Sequence, residues 1–177
     1  AAHVDLMSVV GLGSDFTLNV KNLDLLMNSP STDGSKLDWD DLTSTNADVS
    51  GFAGLTNALD LSIGGSLELG IGSVVKAAGS FSVTQKSGIT IDDGVTGPVA
   101  PFTGDLMTIS VTDVHLFVGV GAGDFTYSGD VLTGIDTANA VGFLVSGASL
   151  DLAMVSSAET TGPTVGQSWT GIAAHVD

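Results

Sequence analysis

The residues able to carry chemistry are few: three histidines, four lysines, eighteen aspartates and two glutamates (Glu68 and Glu159), with no arginine and no cysteine. The missing cysteine removes disulfide frameworks, thiolate metal sites and thiol nucleophiles together. The densest acids are Asp38-Trp39-Asp40-Asp41 and Asp92-Asp93-Gly94, in polar or Gly/Pro-containing stretches that read as loops. Calcium takes roughly six to eight oxygen ligands, and Asp-rich loops with nearby carbonyls can supply them. Asp38, Asp40, Asp41, Asp92 and Asp93 are therefore the candidate calcium ligands. No EF-hand loop and no glycine-rich nonapeptide accompanies them, which favours solvated turn acids and a diffuse cation response over a stoichiometric site. No other cofactor is implied.

Catalytic patterns are equally sparse. His3 and His175 stand in identical strings, so the distinct histidines are that position and His115. Serine and aspartate are abundant everywhere, which empties any Ser-His-Asp match of information. No nucleophile elbow, phosphate-cradling loop or zinc-ligand spacing occurs. Gly119, Gly121 and Gly123 imitate part of a dinucleotide fingerprint, but no helical pattern follows them. The expectation is a protein that is not an enzyme.

Charge narrows the partners. Twenty acids against four lysines give a formal net charge of -16. Nucleic acid is contacted mainly through Lys and Arg, so it is excluded as a partner. Strong charge with low hydrophobicity would mean disorder, yet 43% of the residues are hydrophobic, so the chain folds with its acids in loops and on outward faces. There is no run of about 18 apolar residues and no basic leader before an apolar core. A membrane β-barrel is disfavoured because the ten aromatic residues do not cluster in two girdles, and the face taken as inward is aliphatic where a lumen is polar. No membrane insertion is expected.

The elements that hold these residues are strands. From Leu59 to Val83 the odd positions are mostly apolar (Leu59, Leu61, Ile63, Leu67, Leu69, Ile71, Val75, Phe81, Val83), while the even ones include Asp60, Ser62, Glu68, Lys76 and Thr84. Period two marks strands with one buried face. A single strand of that length would span about 80 Å, so the chain must turn. A three-residue turn at Gly72-Ser73-Val74, pairing Ile71 with Val75, keeps the odd positions on one face. Phase slips after Val20 and after Val111 predict β-bulges. Glycines 119, 121 and 123 mark where backbone turns or passes close to another strand. Phe52, Leu55 and Leu59 have helical spacing for at most a single turn, and 29–48 and 89–104 read as loops. About ten or more strands are expected on this spacing.

The ends of the sequence carry the largest-scale signal. Ala1-Ala2-His3-Val4-Asp5 recurs as Ala173-Ala174-His175-Val176-Asp177, which implies a tandem period of 172 residues (173 minus 1). Residues 1–177 then form one structural repeat, with 173–177 beginning the next. Weaker echoes lie within the period, such as Gly65-Ser66-Leu67-Glu68-Leu69 and Ala148-Ser149-Leu150-Asp151-Leu152.

The strings Asp113-Val-His-Leu-Phe-Val-Gly-Val-Gly-Ala-Gly123, Ala140-Val-Gly-Phe-Leu-Val-Ser-Gly-Ala-Ser-Leu-Asp-Leu-Ala153 and Lys36-Leu-Asp-Trp-Asp40 resemble repeats of giant Gram-negative surface proteins. These are adhesin-like exoproteins, some carrying the LEPR-XLL N-terminal segment. The resemblance implies secretion, repetition and a surface or matrix role, and carries over no catalytic residue.

Together these readings predict an all-β, elongated repeat of stacked, mainly antiparallel strands, solenoid-like or a coiled sheet, with a β-sandwich as the alternative. The expected function is a repeat of a very long secreted fibre, stalk or matrix filament, extracellular or at the cell surface. Its partners are neighbouring repeats and the self-assembled filament. The alternative is an adhesin-type module recognising a glycan or surface, which exposed Trp39, Trp169 or Tyr127 on one face would favour.

Overall fold

The computed structural model describes residues 1–10, 15–92, 94, 101–129 and 131–176. Nine strands occur among them: β1 (Ala2–Ser8), β2 (Phe16–Met27), β3 (Leu59–Ile71), β4 (Val75–Ile91), β5 (Phe102–Val120), β6 (Phe125–Ser128), β7 (Val131–Ile135), β8 (Val141–Ser157) and β9 (Ser168–His175). Seven form a single antiparallel sheet in the order β1-β2-β3-β4-β5-β8-β9, and β6-β7 is a separate hairpin. The all-β expectation holds, and the strands form one open sheet rather than two packed layers. Every main connection joins neighbours, so the sheet is a meander.

The turn inferred from alternation is present. β3 and β4 pair Ile71 with Val75 and keep one register from there to Leu61 opposite Gln85. Both phase slips are β-bulges. β2 shifts register against β3 between Lys21 and Asp24, and β5 shifts against β8 between Val111 and Val114. At each bulge one residue, Asn22 or Asp113, takes a positive φ (49° and 52°). Asn and Asp tolerate this conformation better than other non-glycine residues. A glycine faces each bulge across the ladder. A Cβ on Gly65 would lie 3.2 Å from the Lys21 carbonyl oxygen, and one on Gly79 would lie 3.3 Å from that of Thr112. Gly119 and Gly142 pair across β5 and β8 beside the Phe117 ring, where a Cβ on either would lie within 3 Å of the other's Cα and of that ring.

The loop assignments are corrected at both stretches. β4 runs on to Ile91 and β5 starts at Phe102, pairing Ile89 with Gly104, so the ends of 89–104 are strand. Leu59 opens β3 rather than extending a helical turn. Within 29–48, Trp39–Thr43 forms a one-turn helix, α1, capped by the Asp38 carboxylate accepting from the Asp41 N–H at 3.1 Å. A 3₁₀ turn follows at Ala47–Phe52. Trp39 packs against Phe52 (ring centroids 5.1 Å apart), and its indole N–H donates to the Asn28 side-chain oxygen at 3.2 Å.

The buried face is the other correction. The cross-strand register places Leu18, Leu67, Leu69, Ala77, Phe81, Val111, Leu116, Val145 and Leu150 on one face of the sheet. This is the aliphatic face that alternation marked as buried, yet Leu67, Ile71, Val118, Phe143 and Leu150 on it are exposed. The fully enclosed side chains lie instead on or over the Ser/Thr-rich face. They include Phe117, Ala78, Phe102, Leu55 and Ile135, with Glu68 and His115 among them. The reason is topological. Hairpin β6-β7 lies on this side, holding Lys21 and Lys76 of the sheet through Tyr127, Phe125 and Asp124. The chain between β2 and β3 lies there too, with Lys36 paired to Asp60. Small Ser, Gly and Ala side chains let these segments settle close to the sheet.

Candidate functional site

Of the five candidate calcium ligands, Asp38, Asp40 and Asp92 accept hydrogen bonds from nearby backbone N–H groups. Asp38 caps α1 through one carboxylate oxygen and accepts from the Asn57 N–H at 3.3 Å through the other. Asp40 accepts from the Gly54 N–H at 2.6 Å, which ties α1 to the following turn. Asp41 lies in the first turn of α1, where its charge meets the positive end of the helix. Asp92 accepts from the Gly94 N–H at 2.9 Å, and Asp93 lies outside the described residues. Asp38 and Asp40 share one loop with Asp41 but accept from different backbone donors. Among the described residues no group of three or more His, Cys, Asp or Glu side chains is placed to hold a metal ion.

His115 is the only histidine inside the fold. It sits on β5 beneath β7, 7% exposed, with its Nδ1 3.0 Å from the Ser146 hydroxyl of β8. No carboxylate hydrogen-bonds to this ring among the described residues, so the pair lacks the acid that orients a catalytic imidazole. It fastens two neighbouring strands under the hairpin.

A larger polar cluster, missed by the sequence reading, runs beside it. Glu68 of β3 is buried and accepts from the Lys21 ammonium at 2.6 Å and from the Asn19 amide at 3.1 Å. Lys21 reaches on to the Tyr127 hydroxyl at 3.0 Å, with its ammonium 4.3 Å from the ring centroid. Asn19 in turn accepts from the Ser8 hydroxyl at 2.7 Å. Alternation alone placed Glu68 on an outward face, and only the hairpin above it makes it internal. Lys76 pairs with Asp124 at 3.6 Å, and Lys36 with Asp60. Three of the four lysines are thus held in ion pairs, leaving acids to dominate the exterior.

The two copies of the pentapeptide occupy the outermost strands of the sheet. Ala2 to Asp5 lie in β1 at one edge, and Ala173 to His175 lie in β9 at the other. Val176 follows β9, Ala1 precedes β1, and Asp177 lies outside the described residues. The surroundings of the two copies match in kind. Ala2 stands opposite Leu25, and Ala174 opposite Leu150, both on the aliphatic face. His3 stands opposite Asp24, and His175 opposite Ser149, both on the polar face. His3 Nδ1 lies 2.6 Å from Asp24, and its Nε2 lies 2.9 Å from Asp5. Those two carboxylates, Asp24 foremost, hold its pKa above the usual histidine value.

Edge strands present unpaired backbone N–H and C=O groups, so two such edges carrying one sequence form the most distinctive surface of the molecule. No protein-family model, no curated protein and no solved structure matches this chain.

Proposed function

We propose that this chain is one repeat of a very long secreted bacterial structural protein, a fibre, stalk or extracellular-matrix filament at the cell surface. One observation carries the reading: the two copies of a repeated pentapeptide put Ala2-His3 and Ala174-His175 on the two edge strands of a single meander sheet. A free-standing protein with two uncovered edges risks uncontrolled pairing, whereas a tandem array covers each edge with the next unit. The resemblance to giant adhesin-like exoproteins points the same way. The exposed aliphatic face adds a lateral contact, because an apolar sheet surface of this extent gains by packing on another like itself. The acidic exterior keeps arrays apart elsewhere, and divalent cations or salt would lessen that repulsion.

The adhesin alternative has less support. Trp39 packs on Phe52, whereas Trp169 on Phe102 (centroids 5.1 Å apart) and Tyr127 against Lys21 each keep an exposed surface that a ligand could meet, so this reading stays the alternative. The deciding measurement is the mass of the native polypeptide under full denaturation. A mass many times 17.7 kDa is expected. A mass near that value overturns the tandem reading and leaves the adhesin module ahead.

A further inference from the structure

We propose that β9 and β1 are two halves of one strand, so that successive repeats join by sharing a strand and the sheet runs on without interruption. This inference rests on the tandem reading above and adds to it the way one repeat meets the next. Head-to-tail beads on loops, or domains docked through side chains, would satisfy the tandem reading equally well.

Length is the first argument. β9 has eight residues and β1 has seven, while the interior strands run from 12 to 19. With a period of 172, Ala174 and His175 are also Ala2 and His3 of the next repeat. Eight residues and seven, less the two in common, make a joined strand of thirteen, the length of β3. Each edge strand is then half of an ordinary strand.

The edges are also empty where a joined strand would fill them. β9 pairs with β8 from Ser149 to Ser156, and among the described residues Val141 to Ala148 of β8 have no outer strand neighbour. Val141 and Phe143 there are 75% and 66% exposed. β1 runs in the direction that continues β9: both start at the end of the sheet that holds α1 and head toward the end that holds the β3-β4 turn.

Register supplies the most demanding test. Carrying the β8-β9 pairing past His175 sets Val4 of the next repeat beside Ala148, and Met7 beside Val145. Val4 and Met7 stand opposite Leu23 and Val20 in β1-β2, which keeps one register. Over that interval β2 shifts against β3, between Lys21 and Asp24, so the β1-β2 pair slips phase there relative to the rest of the sheet. β8 slips phase over the same interval, since Val114 pairs with Ala148 but Leu116 pairs with Val145, with Gly147 at φ 74°. Both edges of the sheet therefore carry their irregularity at the same level, and the apolar residues meet on one face on either side of it. The junction is in phase with the sheet on both edges, through a bulge. On the polar face His3 would stand between Asp24 of its own repeat and Ser149 of the preceding one, with Asp5 on its own strand.

The consequence is one antiparallel ribbon with six main strands per repeat. At about 4.8 Å between strands it advances roughly 29 Å for each 172 residues, less whatever coiling removes. Its hydrogen-bonded edges survive only at the two ends of the array.

The test is amide hydrogen exchange on this chain and on a chain of two periods joined through one copy of the pentapeptide. The amides of residues 170–180 at the internal junction are expected to exchange at least tenfold more slowly than the same positions at the free edges of the single unit. Val176→Pro at the internal junction is expected to return them to free-edge rates, while interior β3 and β4 stay protected. Junction amides that exchange at free-edge rates in the unsubstituted two-period chain overturn the shared strand, and leave the tandem reading standing if the native polypeptide is long. A native mass near one repeat overturns the tandem reading whatever the junction does.

Discussion

At the scale of single residues, stability rests on close approach and on a few internal ion pairs. Gly119 and Gly142 face each other, and a Cβ on Gly119 would lie 2.6 Å from the Gly142 Cα and 2.7 Å from the Phe117 ring. Gly119→Ala is expected to cost about 1–3 kcal/mol by overpacking. Gly171→Ala, where a Cβ meets nothing within 4 Å, should be neutral, and paired denaturant melts compare the two. Asp60 is mostly buried, accepts from the Ser87 hydroxyl at 3.0 Å, and has one carboxylate oxygen with no hydrogen-bond partner among the described residues. Its Lys36 partner also donates to Ser87 at 3.0 Å. Lys36→Met would leave that charge uncompensated, and a loss of roughly 2–4 kcal/mol in the same melts is the expected result. His3 carries a pH dependence of definite sign. Its folded-state pKa is raised by Asp24 and then Asp5, so its contribution is fully present below the ordinary value of 6.5 and is lost as pH rises through the raised value. An NMR titration should show the His3 midpoint fall in Asp24→Asn; an unchanged midpoint would mean that the contact does not govern the ring.

At the scale of elements, the bulges decide the shape of the sheet. Asn22 and Asp113 hold left-handed backbone where β2 and β5 change phase. Asn22→Gly should be tolerated, because glycine enters that region freely. Asn22→Val should cost about 1–2 kcal/mol, because a β-branched side chain there crowds its own carbonyl. Equal melting midpoints for the two variants would show that the bulge relaxes without cost. The bulges, and the Gly72-Ser73-Val74 turn, were legible in the sequence because each follows from which neighbouring residues must share a face. The one-turn helix at Trp39–Thr43 was less legible. Five residues carry too little periodicity to register, and only the Asp38 cap marks its start.

The open aliphatic face belongs to the whole molecule. Phe143 stands on it, exposed, toward the β8 edge. Phe143→Asp is expected to leave the melting midpoint of this chain nearly unchanged while reducing its self-association in sedimentation velocity. Undiminished association would place lateral contacts elsewhere. The all-β class, the meander's central turn, the bulges and the repeated pentapeptide follow from the sequence alone, since each depends on residues close in the chain or on simple identity. The tertiary structure decided which face of the sheet is covered, that Glu68 and His115 lie inside, and that the matching pentapeptides stand on opposite edges. Alternation separates two faces but is symmetric between them. Which face closes depends on the side the long connections cross, and that is set by contacts between residues as distant as Lys21 and Tyr127.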